Sequence, residues 1–209
     1  MTTLALSFGQ IVLIAICAIG VVAVITWLLK RRRRDVWRDL ARRHGLTFAE
    51  RSDGPRVTGR TDGRRVEVFI NDASSDRDVG GVEVVRIAVG LRGVPGGMTA
   101  EGVPGLIGDL AVLAEKRIEF QPEEFNRDVL VKGEEAAARD YWNEQRKQAF
   151  LDLVRTAPCD QIVLREGTLA AELREIVSDR RRLEQLMHQL LHSAALLEES
   201  TGEQGARVM

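Results

Sequence analysis

A chain of 209 residues is long enough for one sizeable core, and setting aside about 30 apolar N-terminal residues leaves a length that fits a single domain. Two cysteines, Cys17 and Cys159, exclude a disulfide framework. The net charge of −1 conceals an asymmetry: residues 30–65 hold 13 basic and 5 acidic side chains (+8), and the rest of the chain holds 17 basic and 26 acidic ones (−9).

The first element is an uncharged run. Residues 11–29, IVLIAICAIGVVAVITWLL, are 19 positions without a charge, with Trp27 near the end and KRRRR at Lys30, Arg31, Arg32, Arg33 and Arg34 immediately after. At about 1.5 Å per residue such a helix covers about 28 Å, close to the apolar thickness of a bilayer. The expectation is one transmembrane helix in the cell (inner) membrane, N-terminus outside and C-terminal domain cytoplasmic, with Trp27 and the five cations as membrane-interface residues. A cleaved signal peptide would carry its basic residues before the apolar run, and an interfacial helix would need a polar face. The implied partners are the lipid bilayer and, at the basic cluster, anionic lipid headgroups. The small residues Ala15, Ala18, Gly20 and Ala23 are compatible with helix pairing and a homo-oligomer, although they lack strict four-residue spacing.

Further along, DVWRDLARRHGL predicts a short helix with Val36, Trp37, Leu40 and Ala41 on one stripe and Gly45 as its cap. Residues 56–71 predict a hairpin about Asp62-Gly63, because that turn needs φ > 0 at both central positions. A third strand over residues 82–92 completes an antiparallel meander. Residues 93–108, rich in Gly and Pro, read as a loop, and residues 106–115 as a short helix or strand. Short strands are expected at residues 117–120 and 128–132, then one long helix over residues 134–155. A second hairpin turns at Glu166-Gly167. The last helix runs from an N-cap at Ser178 to about residue 199. Stepping about 100° per residue, Leu186, Met187, Leu190, Ala194 and Leu197 fall within about 60° of Leu183, a stripe suited to the sheet or to a coiled-coil partner. The organisation is an anchor at 1–34, a cytoplasmic domain at 35–199 and a disordered tail at 200–209.

Chemistry-bearing patterns are few. His188 and His192 have the i, i+4 spacing of paired metal ligands, yet they face away from the apolar stripe and Gln189 stands where a zinc protease needs Glu. Glu123-Glu124 and Glu134-Glu135 fit helix starts and solvated surface better than an acid/base pair. Cys159 has no accompanying His–Asn pattern, and the phosphate-loop, nucleophile-elbow and dinucleotide motifs are absent. No cofactor, metal or nucleic-acid partner is expected, the scarcity of aromatics arguing against base stacking.

The segments WRDLARRHGLTF, VTGRTDGRRVEVFI, EFNRDVLVKGEEAAARDYWNEQRKQAFLDL and QIVLREGTLAAEL, followed by a leucine-rich helix, resemble a group of uncharacterised bacterial membrane-anchored proteins. Gly59, Gly63, Arg64, Phe125, Val131, Gly133 and Arg146 match the group's pattern across residues 36–198, and Asn126 stands where the pattern favours Asp. The resemblance implies an α+β cytoplasmic domain and carries no activity. The fold class read from the chain is therefore α+β: one N-terminal transmembrane helix, then a mainly antiparallel sheet packed with two long helices. The function read from it is a non-enzymatic interaction or scaffolding module with an unknown protein partner, favoured over a membrane-tethered enzyme such as a hydrolase.

Overall fold

The structure, a computed structural model, describes residues 8–51, 54–72, 83–102, 117–174 and 179–198, with the side chains of residues 8–15, 30, 71, 72 and 83 outside that description. The fold is α+β. Among the described residues eight strands form one antiparallel sheet: β1 (Thr47–Arg51), β2 (Gly54–Thr61), β3 (Arg64–Asp72), β4 (Glu83–Gly90), β5 (Thr99–Gly102), β6 (Val129–Lys132), β7 (Gln161–Arg165) and β8 (Thr168–Leu173), in the order β1-β2-β3-β4-β8-β7-β5-β6. Among the described residues the helices are α1 (Phe8–Arg43), α2 (Glu123–Asp128), α3 (Glu135–Tyr141), α4 (Glu144–Thr156) and α5 (Arg180–Glu198).

Register explains the core. Because side chains alternate faces along a strand, the pairings line up two continuous rows. One row is Val57, Val68, Ile87, Ala171, Ile162, Gly102 and Val129; the other is Gly59, Val66, Val89, Leu169, Leu164, Ala100 and Val131. Two glycines of these rows sit where neighbouring side chains press closest. A Cβ on Gly102 would lie 2.1 Å from Val154 Cγ2 of α4, and one on Gly59 would lie 2.6 Å from Leu46 Cδ2. On the opposite face the strands carry ion pairs, among them Arg56 with Glu67 (3.0 Å) and Arg86 with Glu172 (3.7 Å).

Both hairpins form about the expected turns, with φ of 53° and 76° at Asp62 and Gly63 and of 50° and 69° at Glu166 and Gly167. Gly45 (φ 65°) ends α1 as expected, Leu46 N–H donating to Ala41 O (2.8 Å) in a Schellman arrangement. The stripe Leu183, Leu186, Met187, Leu190, Ala194 and Leu197 is fully buried. Ser178 lies outside the described residues; Asp179 Oδ1 accepts from the Arg181 N–H (2.9 Å) at the start of α5.

Several expectations are corrected. Among the described residues no helix is long and apolar enough to cross a membrane. The described apolar side chains run from Ile16 to Leu29, about 21 Å at about 1.5 Å per residue where a span needs about 30 Å, and α1 is charged from Arg31 onward. The side chains of residues 11–15 lie outside the description. The transmembrane helix is thus removed from the fold class, and the N-out, C-in topology loses its basis. The short helix expected after residue 35 is the last part of α1, which runs unbroken through the arginines. The helix expected over residues 134–155 is two, α3 and α4, divided where Asn143 Oδ1 accepts from Arg146 N–H (2.9 Å) and opens a new helix. The Gly/Pro-rich loop contains β5, and α2 precedes β6. Residues 117–120 are extended without forming a strand, Ile118 N–H donating to Val131 O (3.0 Å). The element expected at 106–115 and the tail at 200–209 lie outside the described residues.

Residues of the resemblance do structural work. Asn126 clasps the Phe120 backbone from both sides, its Oδ1 accepting from Phe120 N–H (2.9 Å) and its Nδ2 donating to Phe120 O (2.6 Å). The Arg146 guanidinium lies 4.6 Å from the Tyr141 ring centroid and donates to Tyr141 O (2.9 Å), fixing the α3–α4 corner. Phe120, Phe125, Trp142 and Phe150 form a chain of ring contacts, with centroids 5.3–5.7 Å apart, under that corner.

Candidate functional site

Helix α1 changes character along its length. Trp37, Leu40 and Ala41 are buried against the sheet, whereas Ile16, Ile19, Val21, Val22, Val24, Ile25, Trp27, Leu28 and Leu29 are all more than half exposed. A helix apolar on every side and covered on none is an exposed apolar surface that water does not favour. The expected interface residues lie where this surface meets the folded unit, and they divide among distinct roles. The Arg31 guanidinium sits 5.4 Å from the Trp27 ring centroid. Arg32 is exposed, Arg33 is buried at 9 % exposure, and Arg34 pairs with Glu50 (2.5 Å). The Lys30 side chain lies outside the described residues.

A cavity of about 510 Å³ opens at this junction, lined by Leu28, Arg31, Arg32, Asp35, Val36 and Asp39 of α1 and by Arg180 of α5. Asp39 fastens the two helices, its Oδ2 accepting from Arg180 Nη1 (2.8 Å) and from Arg43 Nε (3.1 Å). The hydrogen bond from Arg180, joined by the Arg43 charge, outweighs partial desolvation and holds the Asp39 carboxyl below its ordinary pKa. On the adjoining face of α1, Trp27, Arg34 and Arg38 line a second cavity of about 350 Å³ that shares Arg31 and Asp35 with the first. A third, also about 350 Å³, lies beside the β2–β3 turn. There Glu198 accepts from Arg64 Nη2 (2.5 Å) and Arg92 N–H (2.8 Å) and ties the end of α5 to the sheet. The Asp39–Arg180 link had no local signal in the sequence, since its members are 141 positions apart.

The other residues singled out from the sequence are dispersed. His188 and His192 are exposed, and His188 meets the His44 ring edge-on with centroids 5.6 Å apart. Among the described residues no group of three or more His, Cys, Asp or Glu is arranged to hold a metal ion. Glu123 and Glu124 begin α2, Glu124 lying 3.6 Å from Arg155, which pairs with Asp128 (2.7 Å). Glu134 stands at the N-cap position of α3 without a side-chain capping bond, and Glu135 pairs with Arg139 (2.7 Å). Burial pushes the Cys159 thiol up to about 12, a value that leaves it protonated and inert near neutrality.

No protein-family model matches the chain, and no curated protein matches it. A solved structure does. The crystal structure of the mycobacterial trehalose monomycolate transport factor A, TtfA, is similar with a TM-score of 0.51 and 14% identity, over 81% of this chain and 94% of that one. It is the fold that the two share.

Proposed function

We propose that this chain is a non-enzymatic interaction module that works at a membrane surface. In this reading the apolar segment of α1 seats in lipid and the α+β unit stands beside the headgroups. The observation that carries it is the set of nine large apolar side chains from Ile16 to Leu29, exposed around α1 and bounded by Trp27 and the arginines. Full burial of such a side chain contributes about 1.5–3 kcal/mol, so nine side chains a little over half exposed would gain about 8–16 kcal/mol in lipid, comparable with the usual net stability of a domain. The aromatic and the cations at its end suit the headgroup layer. The reading makes no use of a span. The occurrence of a similar fold in a transport factor accords with a role other than catalysis. Kinship with the bacterial group described above belongs to the same proposal, as does a protein partner for the folded unit.

Flotation of the purified full chain with phosphatidylcholine vesicles, after dilution out of detergent, tests it. The protein should rise with the vesicles, and Ile19→Glu with Ile25→Glu should leave it at the bottom of the gradient. A wild-type chain that stays monodisperse and unbound without detergent would refute the reading.

A further inference from the structure

The junction cavity has the features of a selective site rather than a charged rim. We propose that it binds the phosphodiester headgroup of an anionic phospholipid, with Arg31, Arg32 and Arg180 as donors; this rests on the membrane-surface reading above. Position is the first support. The cavity begins at Leu28, on the exposed apolar segment, and continues over Arg31 and Arg32 to Asp39 and Arg180. A lipid whose chains lie beside the apolar segment would bring its phosphate to this depth.

Charge is the second. Three guanidinium groups and two carboxylates line the cavity; Arg180 is paired with Asp39 and Glu184, so the cations that face a ligand are chiefly those of Arg31 and Arg32. Asp39 is engaged by Arg180 and Arg43, and through Arg180 it draws a donor from α5 into a site otherwise built on α1. The donors are the third. Arg32 has no ion pair or hydrogen bond among the described residues, and the face of Arg31 not on Trp27 is open. Arg180 holds Asp39 through Nη1 (2.8 Å) and pairs with Glu184 through Nε (3.6 Å), which leaves Nη2 as the nitrogen it can offer to the cavity. A planar guanidinium fork matches two phosphate oxygens at once, which a point charge does not. The cavity, about 510 Å³, is shallow and open rather than enclosed, which suits a site reached by a headgroup at a membrane surface.

The test is flotation of the full chain with vesicles of phosphatidylcholine alone or mixed with phosphatidylglycerol. Wild type should partition more strongly onto the mixed vesicles. Arg32→Gln with Arg180→Gln should remove that preference, losing at least about tenfold more than Arg34→Gln with Arg38→Gln, which deletes two charges of similar depth outside this cavity. Arg32→Gln alone, which breaks no contact among the described residues, should lose part of the preference and keeps the test independent of folding. Arg180→Lys should keep the charge and still lose preference, because the fork is gone. Equal loss in the two pairs would mean diffuse attraction and overturn the site. Equal flotation of wild type on both vesicles would overturn it while leaving the membrane reading intact; no flotation on either would overturn both. If wild type binds inorganic phosphate through these arginines in the absence of vesicles yet shows no preference for the mixed vesicles, the occupant is the free anion and the lipid assignment fails.

Discussion

Asn126→Asp is a one-atom change that should be costly. Asn126 both accepts from Phe120 N–H (2.9 Å) and donates to Phe120 O (2.6 Å), so the two backbone partners fix which way its amide points. An ionised Asp keeps the first bond and turns the second into an oxygen facing an oxygen. A lost hydrogen bond with its partner left unsatisfied in a part-buried site costs about 1–3 kcal/mol. With a urea m-value of about 2 kcal/mol/M, the unfolding midpoint at neutral pH should fall by about 0.5–1.5 M. A protonated carboxyl can donate to Phe120 O again, so the folded state should raise the pKa of the new Asp above its unfolded value of about 3.9. A raised pKa means the folded state binds the extra proton, so stability falls as pH rises through that interval. The gap between wild type and variant should therefore be small below about pH 4 and widen towards neutrality. Urea titrations of both proteins in mild non-ionic detergent at several pH values measure this. A variant as stable as wild type at neutral pH, or a gap that ignores pH, would show that the Phe120 clasp is not what Asn126 supplies.

The other expectations concern packing and ionisation. Gly102→Ala should destabilise by about 1–3 kcal/mol, because the new Cβ meets Val154, and adding Val154→Ala should recover part of the loss in urea midpoints. Leu186→Ala empties a fully buried position under α5 and should cost about 2–5 kcal/mol, whereas exposed Gln185→Ala should change little by the same measurement. Asp39, its pKa depressed by Arg180, contributes stability above the ordinary carboxylate value and loses it as pH falls through the lower folded value. Asp39→Asn should therefore lower Tm at neutral pH and match wild type in strong acid; a constant offset would contradict the link. Cys159, raised to about 12 by burial, should resist alkylation at pH 8 until the chain is unfolded in urea.

Legibility in the sequence followed locality. Asp62-Gly63 and Glu166-Gly167 could be read because a tight turn demands φ > 0 where the chain offers residues that tolerate it, and the flanking alternation fixes the buried face. The stripe on α5 was equally plain. Strand β5 was not, since Thr99–Gly102 is four residues inside a Gly/Pro-rich stretch and exists by pairing with β6 and β7, far along the chain. The break between α3 and α4 escaped because helix-forming residues lie on both sides, and only Asn143 marks it. At the site, the aromatic and the basic cluster were visible as a run. Their division was not: Arg33 turned inward, Arg34 held by Glu50, and Arg31 and Arg32 left to face a cavity that Arg180 completes. The apolar run suggested a span, but the described length of α1 side chains does not reach one, and what remains of that reading is the exposed surface itself.

Cys17 offers the most direct test of the central claim, because it lies exposed within the apolar segment of α1 while Cys159 is half-buried with its thiol raised to about 12. Its alkylation by a water-soluble maleimide should be fast in the vesicle-free chain and strongly slowed once the chain has bound phospholipid vesicles, with Cys159 unreactive in both. Equal rates with and without vesicles would place the segment in water, and the membrane-surface role would not stand.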